Sequence, residues 1–229
     1  MRRINSQDLY DFDRVFFEEG ARLLCGIDEA GRGPLAGPVA AAAVIFAEGV
    51  FIEGVADSKT LAPEKRERLY EEILSRASEA SVGIASAEEI DRLNILAATH
   101  LAAGRALGAL PITPDLIITD FLKLKDVSAP VRFFARGDAL SHAIASASIL
   151  AKVARDRLMM KYHEEYPMYG FAQNKGYGTK EHLDALRKWG PCPIHRRSFK
   201  RVLPERERIS DSIDGGRGEK MLTLERVNI

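Results

Sequence analysis

An α/β fold built on a mixed sheet is what this 229-residue chain predicts. Three observations carry that reading. Apolar runs with strand character alternate with amphipathic helical segments along most of the chain. The first two such runs, 22–27 and 39–46, lie too close in sequence for a helical crossover, so they pair antiparallel and make the sheet mixed. The length allows one domain with a sizeable core and a small appendage.

Each element follows in order. Residues 1–20 place Leu9, Phe12 and Phe16 at helical spacing and end on Gly20, which predicts a short amphipathic helix. The two strands 22–27 and 39–46 come next. "APEKRERLYEEILSRAS" is a helix with Pro63 near its first turn and Leu69, Ile73 and Leu74 on one face. "SVGIAS" is a short strand, and "AEEIDRLNILAATHLAAGRALGAL" reads as one longer helix. "PDLIITD" and "VRFFARG" are two further strands. "AIASASILAKVARDRLMMKYHEEY" is a long helix whose alanine- and serine-rich first half packs close to the sheet, and Thr179 caps a last helix, "TKEHLDALRKWG". The organisation expected is a helical extension over 1–21, the main domain over 22–203 and a polar, loosely ordered tail over 204–229, broken by "DGGRG".

Composition narrows the function classes. With 33 basic and 33 acidic residues there is no global nucleic-acid signature, so polyanion binding has to come from local patches. Cys25 and Cys192 stand far apart and form no CxxC, which excludes a disulfide scaffold and a structural zinc motif and fits a reducing compartment. Acids interrupt the first twenty residues, and the longest apolar run, 39–47, is too short to span a bilayer. A soluble, cytoplasmic monomer without membrane contact is expected.

The chemistry gathers at acids on strand ends. "GIDE" ends in Asp28 and Glu29, "IITD" in Asp120, and Asp138 follows "VRFFARG". In an open α/β sheet ligands collect where strand ends meet loops. Singly, Asp120 and Asp138 read as ordinary loop or turn acids, but an unpaired Asp28–Glu29 pair beside a core strand is costly. Converged, the four would raise one another's pKa values. A hard divalent cation, Mg²⁺ or Mn²⁺, would neutralise them. Two such ions about 4 Å apart can activate water and stabilise a leaving oxygen of a phosphodiester. Adjacent residues on a regular strand face opposite ways, so Asp28 and Glu29 serve one site only if the strand ends or bulges there. Asp156 rivals them, but it follows Lys152 by four residues on a helix, where an ion pair is the simpler account.

Two glycine loops accompany the acids. Gly31, Arg32 and Gly33 let the backbone approach a ligand, and Arg32 offers a planar fork for phosphate. "NKGYGT" displays Tyr177, suited to stacking on a sugar or base or else packed on the core. Lys59 in "DSK" lies in a turn or contacts phosphate. "GPCPIHRRSFKRV", with Arg187 and Lys188, is the densest basic stretch and reads as a phosphate-lined groove. The five histidines are scattered and no HExxH occurs, which disfavours zinc hydrolysis. Ser148 and Lys152 stand four apart on a helix face expected to be buried, which disfavours a Ser–Lys nucleophile.

Taken together, "GIDEAGRGPLAGPVAAAAVI", "DSKTL", "RGDALSHAIASASILAKVARDRLM", "YGFAQNKGYGT" and "GPCPIHRRSF" resemble bacterial ribonuclease HII over about residues 24–199. The resemblance implies a ribonuclease H-like fold, a mixed five-stranded sheet flanked by helices; a small C-terminal helical or tail extension is expected beside it. It implies metal-dependent cleavage of the RNA strand of RNA–DNA hybrids and nicking of duplex DNA 5′ of an embedded ribonucleotide. The ends left are a 3′-hydroxyl and a 5′-phosphate, and the cofactor is Mn²⁺ or Mg²⁺. The family's four acids fall on Asp28, Glu29, Asp120 and Asp138, its ribonucleotide-reading loop on Gly31, Arg32 and Gly33, and its junction-sensing tyrosine on Tyr177. Two positions depart from the family pattern: Phe121 replaces the usual glycine after the third acid, and Arg136 replaces a lysine. Rival readings are a non-catalytic hybrid-binding protein, disfavoured by the complete acid set, and a DNA-directed nuclease, disfavoured by the "GRG" and "NKGY" loops.

Overall fold

The computed structural model describes residues 5–125 and 127–203, so the expected tail over 204–229 lies outside the described residues. Strands β1 (Leu23–Ala30), β2 (Val39–Ala47), β3 (Glu79–Ala85), β4 (Leu116–Asp120) and β5 (Val131–Phe134) form one sheet in the order β3-β2-β1-β4-β5. The β1–β2 and β2–β3 pairs are antiparallel, and β1–β4 and β4–β5 are parallel. The mixed five-stranded sheet expected from the sequence is therefore present.

Helices cover both faces. On one side α1 (Ser6–Glu18), α2 (Pro63–Arg76) and α5 (His142–Glu165) bury Leu9, Phe16, Leu69, Ile73 and the first half of α5 against β1 and β2. On the other, α3 (Ala87–Leu93) and α4 (Ile95–Ala109) pack Ile90, Ala98, Ala102 and Ala106 against Cys25, Ile27 and β2. Small residues allow this closeness. A Cβ on Gly26 of β1 would collide with the backbone of Ala143, so α5 rests directly on β1 at that point. Asn5 and Asp8 form a capping box on α1, and Gly20, at φ +104°, ends that segment as the spacing predicts.

One helix departs from expectation. The segment read as a single helix over 87–110 breaks at Asn94, which takes φ +70°. Its Oδ1 accepts from the Leu96 and Ala97 N–H groups at 3.0 and 3.1 Å, so this one side chain caps α4 where α3 stops. The local asparagine bonds compete with helical continuation, and the unbroken apolar periodicity hides the break.

The C-terminal part forms a third small core. Here α6 (Phe171–Asn174) and α7 (Lys180–Trp189) gather Tyr169, Phe171, Leu186 and Cys192 around Leu35, Ala36 and Met159. It packs against the loop that joins β1 to β2. Both cysteines are free and buried. Among the described residues no helix is long and apolar enough to cross a membrane.

Candidate active site

Strand register brings the acids together. The parallel β1–β4 ladder runs from Leu24↔Leu116 to Ile27↔Thr119 and stops. One further step sets Asp28 beside Asp120, where the two strands part. Asp120 is in turn opposite Phe134 at the end of β5. The chain then turns through Arg136, at φ +60°, into a single 3₁₀ turn (Gly137–Ala139) carrying Asp138. The Gly137 N–H donates to Asp120 Oδ1 at 2.9 Å and holds that turn against β4.

The expectation that β1 ends or bulges at Asp28 is not met. Its pairing with β2 continues without a bulge through Asp28↔Ala42 and Glu29↔Ala41 to Ala30↔Ala40. Asp28, 5 % exposed, shares the α5 face with Leu24 and Gly26, and Glu29 follows Cys25 and Ile27 on the other. What ends is the ladder on the opposite edge of β1. The two carboxylates flank that freed edge from its two sides.

Electrostatics confirms that these groups feel one another. Burial, then repulsion by Glu29 and Asp120, pushes the Asp28 carboxyl well above its ordinary range, against hydrogen bonds from Ser148 and the Glu29 N–H. Burial also raises Glu29, with Asp120 adding to the shift and Arg32 opposing it. Asp120 rises through burial and the neighbouring Asp138. Two cations offset part of this charge. Lys59 Nζ lies 3.2 Å from Asp138 Oδ2, and Arg32 Nη1 lies 3.2 Å from Glu29 Oε1. Burial works against the Lys59 ammonium, but Asp138 and then Asp57 outweigh it and raise its pKa.

Among the described residues no three His, Cys, Asp or Glu side chains form a ready-made metal cluster. Each acid instead holds a protein partner: Asp28 Ser148, Glu29 Arg32, Asp120 Gly137, Asp138 Lys59. The donor set still fits a hard divalent cation. It is all oxygen, the Asp28, Glu29 and Asp120 carboxyls are raised by burial and by acidic neighbours, and both compensating cations sit on long, exposed side chains that can swing away.

The rivals fall elsewhere. Asp156 Oδ1 pairs with Lys152 Nζ at 2.5 Å, as the helical spacing predicts, although both side chains are more buried than a surface pair. The Ser148 hydroxyl is 2.9 Å from that of Ser58. Ser148 and Lys152 thus have separate partners and form no nucleophilic pair.

The two glycine loops meet. A Cβ on Gly33 would lie 3.7 Å from Tyr177 Cε1, and the Leu35 N–H donates to Gly176 O at 2.8 Å. Tyr177 is 48 % exposed, so it is displayed and not packed on the core. Gly31, at φ +98°, has no room for a Cβ against the Arg155 side chain.

Sequence reasoning missed what lies behind these loops. Arg155 and Arg196 are 1 % and 0 % exposed. Arg155 donates to the carbonyls of Pro38 (2.9 Å), Lys175 (2.9 Å) and Ala36 (3.1 Å). Arg196 donates to Gly37 (2.9 Å), Arg32 (3.0 Å), Gly31 (2.6 Å) and Pro38 (3.1 Å). Burial and then the nearby Arg155 bring the Arg196 guanidinium down to about 9. The basic stretch is thus not a continuous phosphate-lined groove: His195 and Arg196 point inward, and Asp91 holds the Arg197 and Ser198 N–H groups at 2.8 and 3.0 Å. Lys152, Asp156 and Arg157 surround Arg155 in the sequence, and Arg196 lies in a basic stretch, so neither stands out as a buried residue.

A buried relay supports Tyr177. His195 Nδ1 accepts from the Cys192 N–H at 3.0 Å, which leaves its proton on Nε2. That proton points to His182 Nε2 at 3.0 Å, and His182 Nδ1–H donates to the Tyr177 carbonyl at 2.8 Å. Burial lowers both imidazoles, His195 to about 4, so the relay stays neutral.

Comparison with known proteins identifies the family. The family model described as ribonuclease HII matches residues 25–202. The ribonuclease HII of Acetivibrio thermocellus is 50 % identical over 82 % of this chain and 73 % of its own length. That of a Polaromonas species is 55 % identical over 77 % of this chain and 89 % of its own. The crystal structure of ribonuclease H2 from Pyrococcus horikoshii superposes with a TM-score of 0.68 at 26 % identity, over 83 % of this chain and 98 % of that one. The chain belongs to the ribonuclease HII family and is an endoribonuclease.

Proposed function

We propose that the chain cuts the RNA strand of RNA–DNA hybrids and nicks duplex DNA on the 5′ side of an embedded ribonucleotide, leaving a 3′-hydroxyl and a 5′-phosphate. Asp28, Glu29, Asp120 and Asp138 would hold divalent ions, Mg²⁺ or Mn²⁺, which supply Lewis acidity toward the phosphodiester. The observation that carries this reading is the parting of β1 from β4 one step before Asp28 and Asp120, which leaves two carboxyls, both raised above their ordinary range by burial and acidic neighbours, at an open sheet edge.

The chain's own residues do the rest. Lys59 and Arg32, released from Asp138 and Glu29, take up phosphate charge beside the acids. The backbone of residues 31–33 meets the ribose, whose 2′-hydroxyl separates RNA from DNA. Tyr177 offers its ring to the adjacent sugar.

A duplex DNA with one ribonucleotide, labelled at its 5′ end, tests the proposal in Mg²⁺, Mn²⁺ and EDTA. A single metal-dependent nick 5′ of the ribonucleotide is expected. An uncut duplex in both metals, with the chain folded, would overturn it.

A further inference from the structure

We propose that Arg196, with Arg155, is a positioning residue that fixes which edge of the Gly31–Arg32–Gly33 backbone faces the substrate, and so sets selectivity for ribose over deoxyribose. This rests on the function proposed above and deepens it. All the hydrogen bonds of both guanidiniums end on backbone carbonyls, of residues in the β1–β2 loop and of Lys175 in the tyrosine loop. Neither arginine forms an ion pair with a carboxylate among the described residues. Two fully charged side chains have thus been buried to hold carbonyl oxygens, an arrangement that core packing alone does not call for.

The consequence follows from peptide geometry. In a planar trans peptide the C=O and the next N–H point in opposite directions. Arg196 draws the Gly31 and Arg32 carbonyls inward. The Arg32 and Gly33 N–H groups therefore turn outward, on two exposed residues, and among the described residues neither has a backbone acceptor. Successive N–H groups aimed the same way make a concavity for an electronegative oxygen. The Tyr177 ring borders it at Gly33. Arg155 adds the link between loops, since Pro38 and Ala36 on one side and Lys175 on the other share its guanidinium. The oxygen assigned to this donor pair is the ribose 2′-oxygen; a phosphate oxygen is the alternative the test separates.

The test measures binding, not turnover. In EDTA, the full chain is titrated with duplexes that differ only in one ribo- or deoxyribonucleotide. Arg196→Lys keeps a charge but cannot reach carbonyls on four residues, so the ribo/deoxy affinity ratio should fall about tenfold while all-DNA affinity changes less than twofold. A folded variant that keeps the parent ratio overturns the proposal. If Arg196→Lys does not fold, amide exchange in the parent decides. The Arg32 and Gly33 N–H groups should exchange fast in the free chain and slow on adding the ribonucleotide duplex, but not the all-DNA duplex. Slow exchange in the free chain, or equal protection by both duplexes, would overturn the ribose assignment. A parent that nicks its substrate but fails these tests refutes only the positioning role. A parent that does not nick refutes the proposed function.

Discussion

Asp13 couples α1 to the start of α5, and its charge sets a measurable pH dependence. The residue is 2 % exposed; its Oδ2 accepts from the Ala143 N–H at 2.8 Å, and its Oδ1 is buried without a partner. Burial raises the carboxyl from 3.8 to about 7, and hydrogen bonds from the start of α5 oppose the shift without cancelling it. The folded chain therefore holds this proton more tightly than the unfolded one. Stability from the protonated group is present at low pH and is lost as pH rises through about 7. Integrated from pH 5 to pH 8, the loss from this group is about 2.5 kcal/mol. His142 and His195 act in the opposite sense. Burial depresses both to about 4, so their contribution is lost as pH falls below the unfolded value of 6.5. The net curve mixes these slopes, and a difference measurement is needed. Asp13→Asn keeps an acceptor for the Ala143 N–H and cannot ionise. Urea unfolding of parent and variant at both pH values should show the variant gaining about 2.5 kcal/mol relative to the parent on going from pH 5 to pH 8. A gap between the two proteins that is the same at both pH values would refute the reasoning.

Three further outcomes are expected. Asp28→Asn should reduce nicking below detection while duplex affinity, measured by anisotropy, changes little; near-normal turnover would remove Asp28 from the acid set. Tyr177→Ala should cost about 1–3 kcal/mol of the preference for a ribonucleotide junction, the worth of one stacking contact; a variant as selective as the parent would end the sensing role. Phe121 sits at φ +56° with its side chain exposed, so Phe121→Gly should stabilise the chain by about 0.5–1 kcal/mol and Phe121→Ala should not. An equal gain from alanine would show that the left-handed backbone is not the cause.

That backbone angle also explains a departure visible in the sequence. The position after Asp120 needs a left-handed residue to turn out of β4, which glycine does freely and Phe121 does under strain. Much of the fold was legible for similarly local reasons. Strand alternation, the short β1–β2 connection and the acids at strand ends are all period and spacing signals. The convergence of Asp28 with Asp120 was legible only as a possibility, because register between strands about ninety residues apart is a tertiary property. Asn94 was unreadable within an apolar periodicity that never lapses. Arg155 and Arg196 were unreadable for a different reason. Their partners are carbonyls, which every residue possesses, so no complementary acid marks them in the sequence.

The long helix α5 has one more consequence. Ser148, beneath Asp28, and Arg155, beneath Gly31, both lie on it. Seven helical steps separate them, a rise of about 10 Å and very nearly two whole turns, so both lie on the same face of the helix. The distance from the acids to the Gly31–Gly33 loop is thereby a count of residues on a stiff ruler. Adding one residue between 148 and 155 would rotate everything beyond it by about 100° and carry Arg155 off the loop. That stretch should tolerate no change of length.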